Sequence, residues 1–422
     1  MRSNLAVLAL SLAMTACGSS QSAAQTTGGP PAPVRPASSS TSAAANRFLD
    51  RYVTSDGAVI RHDQGGDIVS EGQSYAMLIA EVARRPALTR TIWSWTKAHL
   101  GRPDGLFASH ADGTGRIEDP HSATDADIVI AYALLRYTGP DQDALHAAGR
   151  RVAKAVLANE SVSLSDGTWL PVAGPWAKST TPPIVDPSYL MPGVFSGLAS
   201  LTGDDRWNGA ADAAVRLIGD LTGAGTRLPP DWANLAHDRL APIANPGGGA
   251  GVQYGFDAAR LPIWFATACD AHVQALAASW WRNQLGTDGR SGPQAMSLDG
   301  ATINPAPSPV FLIAGAAAAT AGSHTSAARV LRGRAVALSF QDPTYYGAAW
   351  VALGPAVLEG SIAPCSDPQC SELRQQRLGD AASGAITFGG KALQRGAAWP
   401  GAGLAGEHLP GAQTRRGTAG LI

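Results

Sequence analysis

Four carboxylates stand where proton transfer could use them. Glu71 follows the polar, glycine-containing loop Gln64-Gly65-Gly66 and opens an apolar run. Ser70 takes the N-cap place, and Tyr75, Met77, Leu78 and Ile79 supply a buried face. A carboxylate at such a helix mouth is partly withdrawn from water, which raises its pKa and suits it to donate a proton. The same position also fits a first-turn Glu that merely answers the helix dipole. Asp125 and Asp127 open a second apolar run in Ser122-Ala-Thr-Asp-Ala-Asp-Ile, with Thr124 or Ser122 as the cap. They read as dipole-satisfying residues, as a metal-binding Asp-X-Asp, or as a hydroxyl-binding Asp turned inward; no His or third carboxylate follows at ligand spacing. Asp257 comes after the Gly-rich loop 246–251, with Arg260 three residues on along the same helical face. The two make either a structural ion pair or a carboxylate kept ionised by Arg260 and able to take a proton from water.

Carboxylates this far apart in sequence work together only if the chain closes on itself. Apolar periodicity and caps predict about twelve helices, near 43–53, 70–84, 89–100, 122–137, 142–158, 187–201, 204–222, 256–268, 270–284, 308–321, 325–338 and 344–359. Strand signals are sparse, with 168–172 the best. Short and long loops alternate, and the long ones hold most of the Pro, Gly and polar residues. Six helical hairpins with long loops on one side suggest an all-α closed barrel whose mouth carries the site. A loose multi-helix domain also fits the periodicity.

The formal net charge is −1, charged residues are 15%, and no basic run exists, so phosphate neutralisation by clustered Lys and Arg is excluded and nucleic acid is not a partner. Eleven Trp against eight Phe suit a core and equally a groove that stacks flat sugar faces. Trp93 and Trp95 read as core, whereas Trp169 and Trp176 flank a Pro/Gly loop where platforms occur. His62, His110 and His121 read as polar loop residues. Arg2, the apolar run 5–14 and Thr15-Ala-Cys17-Gly form a secretory signal (residues 1–17), with Cys17 placed like the acylated Cys of a lipobox. Ordinary signal cleavage is the other outcome. Residues 18–42 have too few large apolar side chains to fold and read as a tether. Residues 43–360 form the catalytic domain, and 361–422 an irregular Gly/Ala-rich extension. Cys365 and Cys370 bracket a loop that an oxidising compartment could close, or half of a metal site; Cys269 reads as a buried small residue.

Ser-Glu71-Gly-Gln-Ser-Tyr75-Ala-Met-Leu, Ala-Thr-Asp125-Ala-Asp127-Ile and Tyr-Gly-Phe-Asp257-Ala-Ala-Arg260-Leu-Pro resemble, in order, the signatures of glycoside hydrolase family 8. Val185-Asp-Pro-Ser-Tyr189, Leu228-Pro-Pro-Asp231-Trp232 and Pro343-Thr-Tyr345-Tyr346 support the resemblance, which covers about residues 44–360 and looks like the cellulose-synthesis-associated branch. It implies an (α/α)6 barrel that hydrolyses β-1,4 glycosidic bonds with inversion, without metal or organic cofactor. By matching position, Glu71 would be the general acid and Asp257 the general base. Asp125 would bind and distort the sugar, with Asp127 beside it as a further substrate-binding residue. Tyr189, Asp231, Trp232, Arg260, Tyr345 and Tyr346 would line the cleft. Ser74, Ala76 and Ala126 stand where the family usually has Gly. The resulting reading is a monomeric, exported endo-β-1,4-glucanase acting on β-glucan, touching a membrane only through a lipid at Cys17. The same chemistry on xylan or chitosan is one rival, and a glycan-binding surface lipoprotein without turnover is another.

Overall fold

The computed structural model describes residues 36–268, 270–282 and 292–362. The apolar leader with Cys17, residues 18–35 of the tether, Cys269, the Cys365–Cys370 loop and the extension from 363 on lie outside the described residues. Among the described residues the α-helices are α1 (Ser39–Tyr52), α2 (Ser70–Val82), α3 (Pro86–His99), α4 (Thr124–Arg136), α5 (Gln142–Asn159), α6 (Pro175–Lys178), α7 (Pro192–Thr202), α8 (Arg206–Leu221), α9 (Leu261–Phe265), α10 (Ala271–Trp280), α11 (Pro309–Ala321), α12 (Thr325–Gln341) and α13 (Tyr345–Leu358).

Two helix chemistries alternate along the chain. In α2, α4, α11 and α13 nearly every residue is buried, as a helix apolar on all sides must be. In α5 only Leu145, Ala148, Gly149, Val152, Ala153, Val156 and Leu157 are buried, one stripe at spacings of three and four. The packing follows: α2 touches α4, then α7, α9, α11 and α13 follow in turn, and α13 touches α2 again. That closes an inner ring of six, while α1, α3, α5, α8, α10 and α12 pack behind it. This is the closed barrel that the alternating short and long loops suggest and the (α/α)6 architecture that the resemblance implies. Trp350 anchors the interior, edge-on to Tyr75 at 5.3 Å and to Trp264 at 5.8 Å. Gly354 is where α13 meets α11 most closely, since a methyl there would collide with Ile313.

The two ends of the ring differ. At the C-terminal ends of α2 and α4, Arg136 binds Glu81 at 3.3 Å and the Ser361 carbonyl at 3.0 Å. The N-terminal ends of the inner helices face the other way, and the loops leading into them form short antiparallel pairings that periodicity did not reveal. Ile68–Val69 pairs with His110–Ala111 and that with Ile117–Asp119; Ile184–Val185 pairs with Trp232–Ala236 and that with Arg239–Ile243. The strand expected at 168–172 is Trp169–Pro171, paired with Ser161–Ser163.

Some local expectations change. The first helix begins at Ser39, inside the stretch read as tether, because Ser38 caps it through Thr41 N–H and Glu359 accepts from Ser38 N–H, Ser38 Oγ and Thr41 Oγ1. Ser70 is the first residue of α2 rather than its cap. Neither Ser122 nor Thr124 caps α4, whose N-cap position is Ala123. The helix expected at 256–268 is a 3-10 turn over Ala258–Arg260 followed by the five-residue α9. That interruption places Asp257 and Arg260 at the mouth.

Candidate active site

Arg260 is the hub of the mouth. Only 2% exposed, it comes from the turn before α9 and gathers four carboxylates, one from its own turn and three from elsewhere in the chain. Its Nη1 donates to Asp125 Oδ2 at 2.8 Å, Glu71 Oε2 at 3.1 Å and Tyr75 Oη at 3.3 Å. Its Nη2 donates to Asp257 Oδ1 at 2.9 Å and Asp186 Oδ2 at 3.1 Å. The Tyr189 ring lies 5.4 Å under the same guanidinium. Glu71 opens α2 and Asp125 opens α4, so both sit where a helix presents its positive end, while Asp186 caps the short 3-10 turn Pro187–Tyr189.

Exposure separates the four acids. Side chains of Asp125 and Asp186 are 6% and 0% accessible, whereas Glu71 and Asp257 keep 21% and 30%. The latter two are the most open to a substrate oxygen or a water, and they hold opposite nitrogens of one guanidinium. One cation cannot offset four anions in a dry site, so protons are retained there. Burial pushes Glu71 up to about 7, with Arg260 pulling it down and Asp125 pushing it further up. Burial also raises Asp257, against the pull of Arg260. Asp186 is held well above the usual carboxylate range by burial and then by Asp257. Arg260 pulls both accessible acids down against burial, and the arrangement offers a carboxyl at Glu71 that holds its proton near neutrality with a second, at Asp257, across the arginine.

The loop carrying Asp257 is fixed by Asp231. Asp231 Oδ1 accepts from Gly255 N–H at 2.8 Å and Ala258 N–H at 2.9 Å, and Oδ2 accepts from Gln253 Nε2 at 3.2 Å. Burial and the neighbouring Asp257 push Asp231 up to about 7. Trp232 packs beside Trp176 at 6.3 Å in a small cluster with Ala173, Ala177 and Tyr189. Tyr345 N–H donates to Asp63 Oδ1 at 2.9 Å, its hydroxyl lies over Gly72, and its ring is buried. Tyr346 is half-buried and donates to the Phe256 carbonyl at 3.2 Å. On the rim, Asp67 pairs with Arg61 and with His110 Nε2 at 2.8 Å.

Of the residues expected here, Glu71, Asp125, Asp257, Arg260, Tyr189, Asp231, Trp232, Tyr345 and Tyr346 line or support one site. Asp127 does not share its surface. Fully buried, it accepts the Phe107 N–H at 3.1 Å and faces Glu160, so the expectation that it contacts substrate gives way to a supporting place. Trp95 is core, as expected, and Trp93 packs partly buried against it. Ser74, Ala76 and Ala126 point into the walls: all three are buried, and Ser74 Oγ donates to the Glu71 carbonyl at 2.7 Å. Asp186 and Tyr75 belong to the site without having been singled out. Asp186 is masked in sequence by its Pro-Ser continuation, which reads as a turn; its Oδ1 does accept from Ser188 N–H, while Oδ2 reaches Arg260.

The family model for glycosyl hydrolases family 8 matches residues 32–354. The "Probable endoglucanase" of Novacetimonas hansenii is 29% identical over 248 residues, covering 56% of this chain and 70% of that protein. The endoglucanase of Cellulomonas uda is 29% identical over 241 residues, 56% of this chain and 65% of its own length. The solved endo-β-1,4-glucanase CMCax from Acetobacter xylinum superposes with a TM-score of 0.63 at 24% identity, over 76% of this chain and 98% of that one, a likeness of fold.

Proposed function

The chain belongs to glycosyl hydrolases family 8, and from that premise we propose that it is an inverting endo-acting hydrolase of β-1,4-glucan. The carrying observation is that Glu71 and Asp257, the most accessible of the acids around Arg260, hold opposite nitrogens of its guanidinium. Glu71 donates its proton to the departing glycosidic oxygen. Asp257 takes a proton from the water that attacks the opposite face of the sugar. Inversion calls for carboxyls about 6.5–9.5 Å apart, which leaves room for that water between them. Asp125, held by Arg260 and by the Ala126 N–H at 2.8 Å, meets the sugar at the cleavage point. Trp176, only partly buried against Trp232 and Tyr189, is the aromatic face of that cluster left to meet a sugar.

β-1,4-Glucan is favoured by the endoglucanase names of the matching relatives. A more distant relative, 28% identical over 185 residues, is a reducing-end xylose-releasing exo-oligoxylanase, so xylan belongs in the test. Reducing-sugar release from carboxymethylcellulose, xylan and chitosan by wild type and Glu71→Gln decides the matter. Release from carboxymethylcellulose that the substitution abolishes supports the proposal; release from xylan or chitosan alone reassigns the substrate. Binding without release points to a glycan-binding protein.

The apolar leader and Cys17 support export with a lipid at the membrane, to be checked by labelled palmitate incorporation in wild type and Cys17→Ser. Among the described residues no helix is long and apolar enough to cross a membrane.

A further inference from the structure

Behind the first turn of α4 lies a second carboxyl pair that the hydrolytic chemistry leaves unused. Asp127 sits two residues beyond Asp125, Glu160 follows the last residue of α5, and both are fully buried. Asp127 Oδ1 accepts the Phe107 N–H at 3.1 Å, and Glu160 Oε1 accepts the Ser122 hydroxyl at 2.7 Å. The remaining oxygens, Asp127 Oδ2 and Glu160 Oε2, are buried without a partner in good hydrogen-bonding geometry, and the buried Thr124 hydroxyl is the other polar group beside Glu160. The two carboxyls face each other. Two ionised carboxylates cannot stay in such a place, because each raises the cost of ionising the other. A proton between them turns two orphaned acceptors into one hydrogen bond.

We propose that Asp127 and Glu160 share a proton, and that the resulting bond is a brace that positions Asp125, and through it the Arg260 guanidinium, from behind. The proposal rests on the hydrolase reading of the mouth for its kinetic consequence only. The brace ties three segments at one point: Phe107 after α3, the start of α4, and the end of α5. Ser122, which leads into α4, is bonded to the same Glu160. Asp125 Oδ2 is 2.8 Å from Arg260 Nη1, so a shift of the α4 start moves the whole acid cluster.

The charged groups that act on the pair are Asp125, which opposes ionisation, and the Arg102 guanidinium, itself bonded to Asp104. Burial, then Glu160, hold Asp127 well above its ordinary value; burial pushes Glu160 up to about 8 against the Ser122 hydroxyl. Both folded values lie above those of the unfolded chain. The stability the pair supplies is therefore complete below the ordinary carboxylate range and is lost as pH rises through the folded values.

Asn at 127 can accept from Phe107 and donate its amide to Glu160 without a proton to lose; Ala can do neither. Full-length wild type, Asp127→Asn, Asp127→Ala and Glu160→Gln are compared by Tm from pH ~6 to ~9 and by kcat and KM on carboxymethylcellulose. Asp127→Ala is expected to lower kcat by up to about a hundredfold with KM little changed. Asp127→Asn should recover most of that loss and flatten the alkaline fall in Tm, and Glu160→Gln should flatten it from the other side. Wild-type kcat in Asp127→Ala, or an alkaline fall in Tm identical in wild type and both amide variants, overturns the brace. A folded wild type that hydrolyses nothing contradicts the hydrolase reading instead, and the Tm comparison still decides the brace.

Discussion

Arg260 Nη1 lies 3.1 Å from Glu71 Oε2, although 189 positions separate the two residues. Closure of the inner helical ring makes that contact, and the same guanidinium draws both accessible acids at the mouth down against the rise that burial imposes.

With Glu71 raised to about 7 chiefly by burial, the descending limb of the pH–rate profile reports its loss of a proton. Activity on carboxymethylcellulose is expected to fall as pH rises through about 7. Glu71→Gln should lower kcat by about 10²–10⁴-fold with KM little changed, and a substrate with a strongly acidic leaving group should recover much of the loss. An unchanged descending limb in the variant would assign it to another group.

Arg260→Ala leaves Glu71, Asp125, Asp186 and Asp257 without their shared cation. Breaking such a buried cluster costs about 3–5 kcal/mol at neutral pH, and the cost should shrink toward acid pH as the carboxyls protonate. Arg260 lowers Asp257, so its removal moves the ascending limb of the profile to higher pH. Denaturant titrations at two pH values, with the rate profile, check both signs.

Gly255 has no left-handed backbone to protect, yet a methyl there would collide with Asp231 Oδ2. Gly255→Ala should therefore displace the Asp257 loop and lower kcat toward about a hundredfold, while the barrel stays folded by circular dichroism. Asp231→Ala removes the acceptor for Gly255 and Ala258 and is expected to act in the same direction.

Glu359 binds Ser38, Thr41 and, at 2.6 Å, Arg332 Nη2, and so joins the first helix to the last two. Glu359→Ala should cost about 1–3 kcal/mol of stability and leave kcat and KM unchanged, as thermal melts and kinetics on one preparation would show.

Much of this was legible in the sequence, because inner and outer helices differ in kind. A stretch such as Pro309–Ala321, apolar on every side, can only be a buried helix, and its alternation with striped helices implies a double ring. The acids were legible because each follows a polar loop and opens an apolar run. Periodicity carried less information where structure is short. The 3-10 turn at Ala258–Arg260 merges with α9 in the pattern, and of the short paired strands only Trp169–Pro171 left a signal. Glu160 ends an outer helix, where a carboxylate ordinarily faces water, so nothing local marks it as buried; only the packing of Ser122 and Asp127 against it does. Asp186 was hidden for a similar reason, with one oxygen making the turn that its neighbours suggest and the other reaching Arg260.

The most direct test is the configuration of the newly formed reducing end, followed by proton NMR during the first minutes of hydrolysis of a soluble β-1,4-glucan. An acid at residue 71 and a base at residue 257, working on opposite faces of the sugar, release the α-anomer first, with the β-anomer growing in by mutarotation. Initial release of the β-anomer would mean that one carboxylate attacks the sugar itself, and would contradict the account.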